Sequence, residues 1–167
     1  MQTELYWIDG PWPGRLAIAA RPRGGDWLED EMQGWSRMGV NTVVSLLTAD
    51  EEEDLDLAGE RETAAARGMQ FISLPRPDRQ VPVSNSEVMS ALQQIESDLS
   101  SGDSVVVHCR QGIGRSGLIA CALLIAKRLD PTHAVQRISR ARGAPVPETK
   151  EQRDWIDPYA ATLTGTK

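Results

Sequence analysis

Cys109 and Arg115 bracket the stretch "CRQGIGR", with five residues between them. Glycines at 112, 114 and 117 open backbone conformations there that side chains forbid. The stretch follows the apolar residues 105–107 and leads into "SGLIACALLIA", which reads as a buried helix. A tight loop between a strand and a helix turns several N–H groups inward, and the helix start adds its own free N–H groups and positive end. Together they make a cradle for a tetrahedral anion such as phosphate. Arg115 is placed to grip two oxygens of that anion in a fork. The same field favours the thiolate of Cys109 over the thiol, and a thiolate against a bound phosphoryl group is a nucleophile for covalent catalysis.

The elements that must hold this loop can be read from the flanking pattern. "SVVVHC" is an unbroken apolar strand, as expected at the centre of a sheet covered on both faces. "NTVVSLL" and "MQFISLP" read as further strands, and residues 16–19 as a short one. Asp26 is a candidate N-cap for a helix over "WLEDEMQGWSRMG" that stops at Gly39. "ADEEEDLDLAGERETAAARG" reads as one or two acidic helices ending at Gly68, their carboxylates on a solvated face. Ser84 or Ser86 caps a helix to about Ser100, with Val88, Leu92, Ile95 and Leu99 at helical spacing. A helix spans about 115–129, another starts beyond Pro131 and is broken by "RGAPVP", and a last one carries "ETKEQRDWIDPYA". Strands alternating with helices predict an α/β fold: a mainly parallel central sheet flanked by helices.

Composition narrows the partners. The 167 residues suit a single domain, 1–167, and 40% are apolar and 25% charged. A net charge of −6 argues against a nucleic-acid binder, so a polyanion site must be a local concentration of cations. Cys109 and Cys121 are too few for a disulfide framework, and His108 and His133 have no metal-site spacing. No secretory signal or membrane span is visible, and a free thiol suits a reducing compartment, so the expected location is cytoplasmic.

The joint pattern His-Cys-x-x-Gly-x-x-Arg-Ser-Gly over residues 108–117 closely resembles the cysteine-dependent protein tyrosine phosphatase superfamily, especially its small dual-specificity-like members. The resemblance spans about residues 16–155 and implies the phosphatase-type fold. It implies that Cys109 is the nucleophile and Arg115 the phosphate clamp and transition-state stabiliser. Ser116 would supply a hydroxyl to the departing thiolate. Arg110, Gln111, Gly112, Ile113, Gly114 and Arg115 would form the amide cradle, and His108 would hold the loop and tune the thiol. The family also uses a general acid, usually an Asp about thirty residues before the Cys in a proline-flanked loop. Asp78 in "RPDRQVP" lies 31 positions upstream and fits. Gln152 stands where the family has a Gln that helps position the attacking water. Arg142 contacts substrate, braces the cradle or is simply a surface arginine. Cys121 is expected in the core, with a resolving disulfide to Cys109 as the alternative.

The implied activity is hydrolysis of phosphate monoesters on proteins: phosphotyrosine, with dual specificity open, through a cysteinyl-phosphate and with no cofactor. Partners are a phosphorylated protein or peptide substrate and a phosphate or other oxyanion in the loop. The cradle's variable positions are Arg110, Gln111 and Ile113, only one of them basic, which weakens the phosphoinositide alternative. Arg21, Arg23, Arg76 and Arg79 are candidates for a cationic rim. A sulfur transferase or arsenate reductase, and a non-catalytic phosphate-recognition module, are the competing readings.

Overall fold

The computed structural model describes residues 3–76, 86–146 and 152. Its elements in chain order are β1 (Tyr6–Ile8), β2 (Leu16–Ala19), α1 (Leu28–Arg37), β3 (Val40–Ser45), α2 (Ala49–Asp54), α3 (Glu60–Ala66), β4 (Gln70–Ser73), α4 (Ser86–Ser100), β5 (Ser104–His108), α5 (Arg115–Ala126) and α6 (Pro131–Arg142). The strands form one five-stranded sheet in the order β1-β2-β5-β3-β4. β2, β5, β3 and β4 run parallel, and β1 pairs antiparallel to β2 at the edge.

β5 lies between β2 and β3, and all five of its residues are buried. Its side chains alternate between two cores, as the twofold period of a strand requires. Val105 and Val107 join Leu16, Ile18 and Val44 under α4, α5 and α6. Val106 joins Ala17, Ala19 and Val43 against Met32 and Trp35 of α1 and Ala64 of α3. This double coverage is why β5 carries no polar alternation in sequence.

The boundaries depart from the sequence reading in a few places. Asp26 is not the cap of α1: it lies inside a 3-10 turn, Gly25–Trp27, and Trp27 takes the cap position without a side-chain bond. The acidic segment forms two helices, and Gly68 follows the second with φ +78°. α5 ends at Ala126, earlier than expected, because the chain turns through Arg128 at φ 74°. α6 starts as its sequence suggests, with Asp130 accepting from the Thr132 N–H, Pro131 in the first turn, and Gly143 left-handed at the end. β1 was not foreseen; three residues at a sheet edge leave too short a pattern. Asp78, Arg79 and, apart from Gln152, the expected last helix lie outside the described residues.

Candidate active site

The parallel strands bring their C-terminal ends to one edge of the sheet, where ligand sites of open α/β folds lie. The loop 109–114 leaves β5 at that edge and runs into α5. The β5 alternation continues one residue further. His108 points to the α1/α3 face and Cys109 to the opposite one, in the core cluster with Leu118 and Ile119.

Cys109 is 2% exposed. The Gly112 N–H donates to its Sγ at 3.3 Å, and Ser116 Oγ lies 3.3 Å from the same sulfur. Gly112 is held at φ +74°, and a Cβ there would stand 2.6 Å from the Ala19 carbonyl carbon. That close approach of loop to β2 is what bends the amide back over the sulfur. The Arg21 N–H donates to the Arg110 carbonyl at 3.3 Å, a second tie between β2's exit and the loop. Arg142 supplies a third: its Nε and a terminal nitrogen donate to the carbonyls of Gly112 and Gln111, both at 3.2 Å, while its guanidinium lies 4.2 Å over the Tyr6 ring. Of the three readings of Arg142, these bonds match the brace.

Arg115 is the first residue of α5 and is 3% exposed. Its Nη1 donates to Glu51 Oε1 at 2.7 Å and to the Arg76 carbonyl at 2.9 Å, and its Nη2 to Glu51 Oε2 at 2.9 Å. This is a two-bond fork on a carboxylate, the strong geometry for guanidinium. Glu51 also receives Arg110 Nε at 3.3 Å and the Thr48 N–H at 3.0 Å. Burial works against its charged form, but the bonds from Arg115, Thr48 and Arg110 win and hold its pKa down at about 2.

His108 is fully buried, with Nε2 2.6 Å from Glu60 Oε2 and its ring against Trp35. It sits behind the sheet relative to the sulfur and anchors the end of β5 to α3. Ile113 packs against the main core and Gln152 is buried and helical. Cys121 is fully buried on α5, in the core as expected.

The acidic segment is where the sequence reading is corrected. Glu51 and Glu60 are not on a solvated face: one carboxylate holds the cradle arginine and the other holds His108. A signal for Glu51 was present. Thr48-x-x-Glu51 is a capping box, and both of its reciprocal bonds form. The box folds the Glu51 side chain back towards the end of β3, beside the loop after β5. Nothing in the sequence singled out Glu60.

Residues 3–158 match the family described as PTP-SAK, the Swiss Army Knife protein DSP-PTPase phosphatase domain. The chain belongs to this family. Within the DSP-PTPase domain it matches the "Putative tyrosine phosphatase 197R" of Invertebrate iridescent virus 6, with 30% identity over 162 residues. That match covers 93% of this chain but 56% of the viral protein, so the chain spans about half the length of that relative. The fold is shared with kinase-associated phosphatase, KAP, crystallised with serine replacing its catalytic-site cysteine: TM-score 0.88 and 16% identity, over 100% of this chain and 99% of that one. Tk-PTP in its active form matches with a TM-score of 0.76 and 27% identity, over 93% of this chain and 95% of that one. The DSP-PTPase architecture accounts for the mixed sheet and for the loop between its central strand and α5.

Proposed function

We propose that the chain is a protein tyrosine phosphatase, open to dual specificity, working through a cysteinyl-phosphate. The observation that carries this reading is the Cys109 sulfur at the floor of the loop, facing the Gly112 N–H and the Ser116 hydroxyl. A side chain that served only packing would not need an amide donor bent onto it.

The substrate's phosphate oxygens bind the inward amides and Arg115. The Cys109 thiolate attacks phosphorus in line, the bond from phosphorus to the ester oxygen breaks, and that oxygen takes a proton from Asp78. Water then attacks the cysteinyl-phosphate and gives a proton to the Asp78 carboxylate. The P–S bond breaks, the Ser116 hydroxyl donates to the returning thiolate, and inorganic phosphate leaves. Asp78 lies outside the described residues, but the Arg76 carbonyl, two residues before it, already accepts from Arg115. Gln152 is assigned to positioning the attacking water. The two cysteines are free and buried, as a reducing cytoplasm would keep them.

Hydrolysis of an aryl phosphate and a phosphotyrosine peptide by wild type, Cys109→Ser and Asp78→Asn tests this reading. Cys109→Ser should abolish turnover. Asp78→Asn should lower kcat on the peptide about 10²–10⁴-fold and remove the fall in rate at high pH. Turnover that survives Cys109→Ser refutes the mechanism, and an unchanged basic limb in Asp78→Asn removes Asp78 from the acid's role.

A further inference from the structure

The sheet already fixes the backbone of His108 from both sides. The residue pairs with Ala19 of β2 and Ser45 of β3, and its carbonyl accepts from the Leu46 N–H at 3.0 Å. Its ring nevertheless forms a buried pair with Glu60, Nε2 to Oε2 at 2.6 Å. That pair is only half satisfied: His108 Nδ1 and Glu60 Oε1 are buried with no hydrogen-bond partner among the described residues. A buried ion pair often does no better than packed apolar side chains, and orphaned polar atoms add to its cost. A cost that the backbone geometry does not require points to a use of the charge itself. We infer that Glu60 keeps a proton on His108, so that an imidazolium stands behind the Cys109 sulfur and favours its thiolate. Glu60 is then a positioning residue for the nucleophile, a role that deepens the phosphatase reading above and rests on it.

The charge assignment follows from burial. A buried carboxylate needs a cation, and His108 is the one within ion-pair distance of Glu60 among the described residues. Their contact is as short as charge-assisted bonds run. Nε2 is an outer atom of the ring, so the carboxylate lies beyond the imidazolium as seen from Cys109. The thiolate meets the cation first, and the net field of the pair favours it. Without Glu60, burial would discharge the imidazole and that field would vanish. The other charged groups acting on this cluster are Glu52 of α2 and Arg61 of α3, while α1 contributes the Trp35 ring, 6.1 Å from that of His108. Burial, and then the charge of Glu60, hold Glu52 above the ordinary carboxylate range, with His108 and Arg61 opposing. Glu52 is therefore a second carboxylate whose titration must be kept apart from that of the thiol.

The rate of Cys109 alkylation by iodoacetamide against pH, read by mass spectrometry, reports the thiolate with no substrate present. Glu60→Gln retains a hydrogen-bonding side chain and removes the charge. It should raise the midpoint by about 0.5–1 pH unit and leave the high-pH plateau unchanged. Below both midpoints the alkylation rate then falls about 3- to 10-fold. The acidic limb of kcat/KM for an aryl phosphate should move in the same direction. Replacing the whole pair, Glu60→Leu with His108→Phe, should keep or raise Tm while giving the same midpoint as Glu60→Gln, which separates charge from scaffold. In a Glu52→Gln background the shift caused by Glu60→Gln should persist. A midpoint that stays or falls in Glu60→Gln overturns the inference. So does a further rise in the apolar pair, which would mean that His108 acts without Glu60, and so does a shift that needs Glu52. A shifted midpoint in a chain that hydrolyses no phosphate ester leaves this inference standing and removes the phosphatase reading alone.

Discussion

The Glu51 carboxylate closes the capping box of α2 and takes the fork of Arg115, so one side chain ties a helix start to the cradle. Removing its charge should loosen Arg115 without touching the sulfur. Hydrogen bonds to charged groups are worth about 1.5–3 kcal/mol, so Glu51→Gln should lower kcat/KM for an aryl phosphate about 10- to 100-fold. Its pH signature separates it from a titrating catalytic group. A carboxylate ordinarily at 4.5 and held at about 2 keeps its contribution to stability above 4.5 and loses it as pH falls through about 2. Glu51 is therefore charged throughout the range in which the reaction would be assayed. The acidic limb of a rate profile should keep its midpoint in Glu51→Gln while the plateau drops. A midpoint that moves would make Glu51 a titrating participant rather than a positioning residue. In acid denaturation, the variant should lack the part of wild-type destabilisation between about pH 4.5 and 2 that Glu51 contributes.

At the scale of elements, the loop between β5 and α5 depends on β2 as much as on its own sequence. Gly112→Ala places a Cβ 2.6 Å from a backbone carbon of Ala19 at φ +74°. Left-handed strain and overpacking against a strand that cannot move should cost about 2–5 kcal/mol. Gly143→Ala, at φ +77° with nothing within 4 Å of the added carbon, carries the strain alone and should cost about 1–2 kcal/mol. Urea melts of the two variants check the difference; equal midpoints would mean that the contact with Ala19 does not constrain the loop. The comparison also shows what was legible in advance. The glycines, Cys109, Arg115 and the apolar β5 follow from local pattern, and the mainly parallel sheet follows from alternation of strands and helices; the strand order does not. Glu51, Glu60 and the Arg142 brace belong to contacts between residues 30 to 64 positions apart, which no local period encodes. Asp26 failed as a cap because a 3-10 turn, pinned by the Gly25 N–H bond to the Asp56 carbonyl, starts the helix later. The acidic run misled because charge alone does not tell which carboxylates have a buried cation to meet.

For the whole molecule, the loop joins both cores: β5 contributes to each face, and α5 is buried along nearly its full length. An oxyanion bound there would link β2, β3, β5, α2 and α5 through Arg115 and the loop amides. It would bind the folded chain and not the unfolded one, so its affinity should appear as stability. At 100 times its dissociation constant, a tetrahedral oxyanion such as tungstate should add about 2.7 kcal/mol. For a chain of this size, each kcal/mol corresponds to roughly 2–4 °C, so Tm should rise by about 5–10 °C. Sodium chloride at equal ionic strength should reproduce little of that rise, because a screened surface effect is not a fitted cradle. Arg115→Ala should remove most of the shift, since the cradle loses its buried guanidinium. Cys109→Ser should keep much of it, because the amide donors remain in place. A tungstate shift that survives Arg115→Ala would put the anion outside the cradle and refute the assignment of Arg115 as its clamp.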